Sequence, residues 1–211
     1  STPLYSSASS DVYKRQKYTC GESMSNLKEL TWEHHKNAER QSYVKVLLSG
    51  KINPKFYATY LWNQHKKYDL LEALAGAQGC LDDLPDIRRK MKIEQDFLEL
   101  WTDEEQPPVV QSTRDYIMHM KEIMDNPAKL MAHIYVLHMG DLSGGQMIAR
   151  KVPGEGRMYQ FDTDKKELKE LIRAKTNDDM ADEAKFVFES ATKLFQDLME
   201  LDIEHYMEQT D

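Results

Sequence analysis

Twice in this chain an asparagine stands directly before a proline, at Asn53-Pro54 and Asn126-Pro127, and each pair opens a stretch with helical spacing of its apolar residues. The asparagine side chain can accept hydrogen bonds from first-turn amides, and a proline at the first helical position lacks only an N–H that would have no partner. Such a pair fixes where a helix begins. The first opens a run to about Ala77, and the second a run to about Lys151 that Pro153, Gly154 and Gly156 close in a loop. Upstream, Ser25 or Asn26 can cap a helix on which Leu27, Leu30, Thr31, His34 and Ala38 follow the 3.6-residue period, with Gly50 as a later stop. Pro85 and Pro107-Pro108 bracket a helix through Ile87, Met91, Phe97, Leu98 and Trp101. Another runs over 109 to 124, and helices near 164 to 175 and 178 to 207 complete the set. No stretch alternates like a strand and no internal repeat is present. The pattern predicts an all-α, single-domain bundle of about seven or eight helices.

The 211 residues suit one domain with a substantial core, placed at 25 to 211. Residues 1 to 24 read as a disordered leader, and the serine-rich STPLYSSASSDVYKRQ at 1 to 16 as a non-native scar. A net charge of −8 argues against nucleic acid or an anionic membrane as the main partner. Only Cys20 and Cys80 are present, without metal-ligand spacing, which suits a reducing compartment. No apolar run approaches the roughly 20 residues of a spanning helix, and the last residues are polar. The expectation is a cytoplasmic monomer without a membrane anchor.

Within the second Asn-Pro run lies Gly140-Asp141-Leu142-Ser143-Gly144-Gly145-Gln146. Each helical glycine costs about 1 kcal/mol relative to alanine, so three in seven positions need a reason other than helix stability. Gly140 and Gly144 are four apart and share a face on which a flat ligand could approach the backbone. The spacing serves equally for close contact between two helices, or for a loop that splits the run.

Ala132-His133-Ile134-Tyr135 followed by the Gly140 to Gln146 string resembles the distal helix of the heme oxygenases. Upstream, Thr31-Trp32-Glu33-His34-His35-Lys36-Asn37-Ala38-Glu39 resembles the proximal motif of the same family, in the family's order. Weaker similarity runs through Ile93 to Phe97 and Trp101, and through Lys169 to Asn177, so the resemblance spans about 27 to 202.

The resemblance implies heme b, as substrate and cofactor, held between a proximal and a kinked distal helix, with no flavin, nicotinamide or non-heme metal. Periodicity cannot choose among His34, His35, His65, His119, His133, His138 and His205; position in the motif selects His35 as the axial iron ligand. Glu39, one turn on, would steady its other ring nitrogen. Asp141 is assigned as the distal acid acting through ordered water, hydrogen-bonded by Tyr68, with Tyr135 and His133 extending the network. Gly140 and Gly144, with Ser143 and Gly145 beside them, would steer oxygen toward the ring edge. Lys169 and Arg173, with Lys28, correspond to propionate contacts, and Phe188 to an apolar wall.

Each residue also has an ordinary reading. Asp141 can be a capping carboxylate, Tyr68 and Phe188 plain core, and Lys169 and Arg173 a surface pair with nearby acids. Three positions depart from the family pattern: Trp32 replaces a lysine, Leu137 an arginine of the distal network, and His138 a tyrosine or similar residue. The implied reaction gives biliverdin, most simply the alpha isomer, with CO and ferrous iron. It draws electrons from a soluble donor such as ferredoxin and leaves a bilin for a downstream reductase. The other classes weighed are a non-catalytic heme carrier on the same fold and a di-iron bundle. The latter is disfavoured because no histidine here has a glutamate three residues before it.

Overall fold

The computed structural model describes residues 25–201; the leader at 1 to 24 with Cys20, the predicted helical end at 202 to 207, and His205 lie outside the described residues. In chain order the helices are α1 (Leu27–Leu30), α2 (Trp32–Glu39), α3 (Ser42–Leu48), α4 (Pro54–Ala77), α5 (Lys90–Leu100), α6 (Gln111–Glu122), α7 (Pro127–Leu142), α8 (Gly145–Ile148), α9 (Lys165–Ala174) and α10 (Ala181–Glu200). Single 3₁₀ turns lie at Arg157–Tyr159 and Asp178–Met180. The described residues hold no strand, and eight of these helices have seven or more residues, as the sequence pattern predicts.

The predicted starts are built as expected. The Asn53 side chain accepts from the Lys55 amide at 2.9 Å, that of Asn126 from the Lys129 amide at 3.0 Å, and that of Asp164 from the Glu167 amide at 2.9 Å. Other boundaries differ. The run from Leu27 is broken at Thr31, whose hydroxyl donates to the Leu27 carbonyl at 2.7 Å, a back-bond that bends helices. It breaks again where Gln41 turns extended before α3.

Helix α5 starts at Lys90 rather than near Ile87 because its first amides are capped from another helix. The Glu72 carboxylate on α4 accepts from the Arg89 amide at 2.5 Å and the Lys90 amide at 3.1 Å. Likewise Asp197 on α10 accepts from the Ser112 amide at the start of α6, at 2.8 Å. Caps supplied from 17 and 85 residues away leave no local signal.

Helix α4 is the centre of the bundle, packed against α5, α6 and α7. Its buried residues, from Phe56 through Tyr60, Leu61, Tyr68 and Leu71 to Ala75, cover all but the stripe of Trp62, Lys66, Asp69 and Ala73. Helix α10 closes the other side of α7 and also packs on α2, α3 and α6. Replacing Asn126 with alanine removes the cap of α7 and is expected to lower stability by about 1 kcal/mol in urea unfolding. An unchanged midpoint would show that Pro127 alone sets the helix start.

Candidate functional site

His35 lies on α2 with its side chain 37% exposed. Its ring stacks on Phe188 of α10 with centroids 5.2 Å apart, and Trp32 meets it edge-on at 5.9 Å. Glu39 lies one turn on, its Oε1 3.0 Å from His35 Nε2. That leaves Nδ1 as the second ring nitrogen. Glu39 also accepts from Lys36 at 2.9 Å. Burial opposes ionisation of its carboxyl, but Lys36 and His35 together hold it below the usual range. The neighbouring His34 turns to Glu189 of α10 at 3.2 Å.

On the distal side α7 stops at Leu142, where Ser143 adopts φ −114° and ψ −93°, and the chain re-enters a short helix at Gly145. The three glycines then divide. A Cβ on Gly140 or Gly144 would meet nothing within 4 Å, whereas one on Gly145 would lie 2.6 Å from the Tyr159 ring. Gly145 is therefore required by packing, and Gly140 and Gly144 are not. The Gln146 side chain pins the turn by donating to the carbonyls of Asp141 at 3.1 Å and Tyr159 at 2.9 Å.

Between these glycines sits Asp141, buried at 6% exposure, accepting a 2.7 Å hydrogen bond from the Tyr68 hydroxyl. Burial pushes its carboxyl up to about 8. The Tyr68 bond and the charges of Arg89 and Lys67 pull it down, and the Glu72 charge pushes it further up. At neutral pH the side chain holds a proton beside an open, side-chain-free helix face. That is the arrangement of a general acid.

Other expected members lie elsewhere. His133 is fully buried, but its Nδ1 is 2.7 Å from the Tyr116 hydroxyl and its Nε2 2.7 Å from Glu183 Oε1, so it does not extend the Asp141 network. His119 Nε2 is 2.5 Å from the same Glu183 oxygen. A divalent metal at about 2.0–2.2 Å from each donor would need these atoms further apart. The carboxylate oxygen itself fills the gap between the two rings, which makes this a hydrogen-bonded clamp joining α6, α7 and α10. His138, the departure from the family pattern, points its Nε2 to Glu72 at 3.0 Å and packs on Tyr68. The partners Tyr116, Glu183 and Glu72 were not singled out from sequence.

Helix α9, which carries Lys169 and Arg173, packs on α7, and Lys28 lies on α1. Lys169 is half-buried, and Arg173 and Lys28 are exposed. None of the three forms an ion pair among the described residues, so the surface-pair reading of Lys169 and Arg173 does not hold. Half-buried Tyr135 lies within reach of the Arg173 charge; burial raises its phenol and Arg173 lowers it.

The family model described as heme oxygenase matches residues 22–201. This chain belongs to the heme oxygenase family. Heme oxygenase 2 of Macaca fascicularis is 30% identical over 206 residues, covering 82% of this chain and 64% of the relative's own length. Heme oxygenase 2 of Synechocystis is also 30% identical, over 73% of this chain and 70% of its own. Among solved structures, Synechocystis heme oxygenase-2 in complex with heme and NO superposes with a TM-score of 0.73 at 26% identity, over 88% of each chain. The heme complex of heme oxygenase-1 from the same organism gives 0.71 at 26% identity, over 82% of this chain and 90% of that one. This chain thus spans about two thirds of the Macaca relative's length. No helix among the described residues is long and apolar enough to cross a membrane.

Two outcomes follow from this family member's distal turn. Gly145→Ala is expected to destabilise by about 1–3 kcal/mol through the Tyr159 clash, while Gly140→Ala, in open space on a helix, leaves stability unchanged or raises it by up to about 1 kcal/mol. Thermal unfolding of the two variants checks the contrast, and equal losses would refute it. The second concerns pH. The folded carboxyl of Asp141 lies above its unfolded value, so the native state binds the extra proton. Its contribution to stability is complete below the unfolded value of 3.8 and is lost as pH rises through about 8. Asp141→Asn should therefore gain stability over the unaltered protein as pH rises from about 4 to 8. A pH-independent difference would place the carboxyl in its ordinary range.

Proposed function

We propose that this chain binds heme between His35 and the Gly140/Gly144 face and oxidatively opens its ring at a meso carbon. The observation that carries the reading is a buried, proton-holding carboxyl, Asp141, set directly beside glycines whose bareness nothing in the fold requires. The donor set fits an iron porphyrin: one accessible imidazole, a side-chain-free face and three unpaired cations. When bound, heme supplies the iron that activates dioxygen and the carbon that is oxidised.

The chain's own residues divide the remaining tasks. His35 would hold the heme iron through one ring nitrogen, and Glu39, on the other, would fix its ring and tautomer. Phe188 backs the imidazole with an apolar wall. Tyr68 holds the Asp141 carboxyl in place, and Asp141 delivers protons through water on the open face. Gly140 and Gly144, with Ser143 and Gly145 shaping the turn, leave room for oxygen close to the backbone. Lys28, Lys169 and Arg173 hold the two propionates, Tyr135 beside Arg173, and so set the in-plane rotation that selects the meso bridge. The products in this reading are biliverdin of the alpha isomer, CO and ferrous iron. Electrons come from a soluble donor, ferredoxin, and a bilin reductase acts downstream. The protein works as a cytoplasmic monomer.

Heme-loaded protein supplied with ferredoxin, its reductase and air should lose its Soret band and release biliverdin IXα. His35→Ala should lose the axial-imidazole spectrum, and Asp141→Ala should lower the bilin yield at least tenfold. Reversible heme binding with no bilin would make the chain a carrier, and an unchanged ligand spectrum in His35→Ala would remove His35 from its role.

A further inference from the structure

His138 on α7 is fully buried, and it brings two ring nitrogens to a place that uses one. Its Nε2 lies 3.0 Å from Glu72 Oε1, while Nδ1 has no hydrogen-bonding partner among the described residues. Burial opposes ionisation of the Glu72 carboxyl, but His138 and the amides of Arg89 and Lys90 hold it below its usual range. A carboxylate only accepts, so Nε2 carries the hydrogen of this bond. Buried pairs of this kind can often be exchanged for apolar side chains without loss of stability, and the unpartnered nitrogen adds a penalty of its own. Folding alone gives no reason to keep a histidine here.

What the ring touches supplies one. It packs on the Tyr68 ring with centroids 4.9 Å apart and a tilt of 49°. The Tyr68 hydroxyl donates to Asp141 Oδ2 at 2.7 Å, and Asp141 follows His138 by three residues, on the same face of α7. The phenol thus meets α7 twice, with its ring at His138 and its hydroxyl at Asp141. Each link behind it is fixed in turn. The Glu72 carboxylate is anchored by the Arg89 amide at 2.5 Å and the Lys90 amide at 3.1 Å, and the imidazole is tethered to that carboxylate. A tyrosine hydroxyl lies at the far end of a stiff ring, so a small rocking of the ring carries it out of hydrogen-bond range of a fixed carboxyl.

We propose that His138 is a positioning residue for Asp141 that acts through Tyr68: the imidazole, tethered by Glu72, backs the phenol and keeps its hydroxyl on the carboxyl. Burial pushes the Asp141 carboxyl up, and the Tyr68 bond draws it back. A loosened phenol therefore leaves an acid that holds its proton harder. This role rests on the heme-opening reading, but the positioning itself is measurable without heme.

The test is a carbon-13 NMR titration of aspartate carboxyls in the heme-free protein, with the Asp141 signal assigned by its loss in Asp141→Asn. Tyr68→Phe, which deletes the hydroxyl, should raise the Asp141 midpoint by about one pH unit, and His138→Leu should raise it by roughly half as much or more. His138→Gln, whose amide can still donate to Glu72, should return the midpoint close to that of the unaltered protein. In the Tyr68→Phe background, His138→Leu should move it no further. Circular dichroism verifies folding; His138→Phe, which keeps a ring and loses both nitrogens, carries the same test with the same expected rise if the leucine variant does not fold. An unmoved midpoint in the variant without the tether overturns the proposal, as does a glutamine midpoint as high as the leucine one. A rise that persists in the Tyr68→Phe background also overturns it, because His138 would then act on Asp141 without the phenol. Bilin formation by the unaltered protein together with an unmoved midpoint defeats the His138 role alone. A midpoint shift in a protein that forms no bilin leaves the positioning standing and defeats the heme-opening reading.

Discussion

A helix covered by protein over most of its circumference leaves little solvent to satisfy the polar side chains on those faces, and α4 is such a helix. Asn63, Tyr68 and Glu72 are all buried on it, together with the aromatic and aliphatic residues of the core. Buried polar groups without partners are costly, so each of these positions dictates what must lie opposite. Asn63 accepts from the Val110 amide at 3.0 Å and the Thr113 hydroxyl at 2.8 Å, and donates to the Pro108 carbonyl at 3.0 Å, which docks the start of α6. Tyr68 docks α7 through Asp141. Glu72 docks α7 through His138 and the start of α5 through two amides. The bundle is thus registered by a column of polar contacts along one helix, with apolar packing filling the space between them.

The two halves of the candidate site are held by different physics. The distal half belongs to that polar column: Asp141 is buried and bonded, and the α7 turn is pinned by Gln146 and closed by Tyr159. The proximal half rides on α2, an eight-residue helix between two breaks, held to α10 through the His35–Phe188 stack and the His34–Glu189 contact. Surface contacts of this kind contribute little each, so α2 has fewer constraints on its position than α7.

How much of this could be read from the chain follows from the distance over which each signal acts. Helix starts encoded within three residues, at Asn53, Asn126 and Asp164, fall where the pattern puts them. Boundaries set by Glu72 or Asp197 from other helices do not, because a carboxylate capping a distant helix looks in sequence like any exposed acid. The break at Thr31 was hidden for another reason: threonine continues the apolar period while its hydroxyl back-bonds and bends the chain. The Tyr68–Asp141 contact crosses 73 residues and was reachable only through family resemblance. The same resemblance misplaced His133, whose partners Tyr116 and Glu183 draw it toward α6 and α10. Gly145 shows the limit of spacing arguments, since nothing local separates it from Gly140 and Gly144, yet Tyr159 occupies its free side.

Two unfavourable features stand next to each other on α7, and neither is explained by the fold. Gly140 gives up helix stability, and both it and Gly144, the N-cap of α8, leave open space that a methyl group would fill without contact. Asp141 gives up the solvation of its charge and stays protonated well above the usual carboxyl range. Local penalties that the surrounding structure does not recover are expected where a chain is shaped for something outside itself. Here they define complementary needs: a surface that approaches a ligand at backbone distance, and an acid that cannot follow it out into water. A packing role would fill the glycine face, and a capping role would expose the carboxyl. The heme-opening reading proposed above calls for both at once.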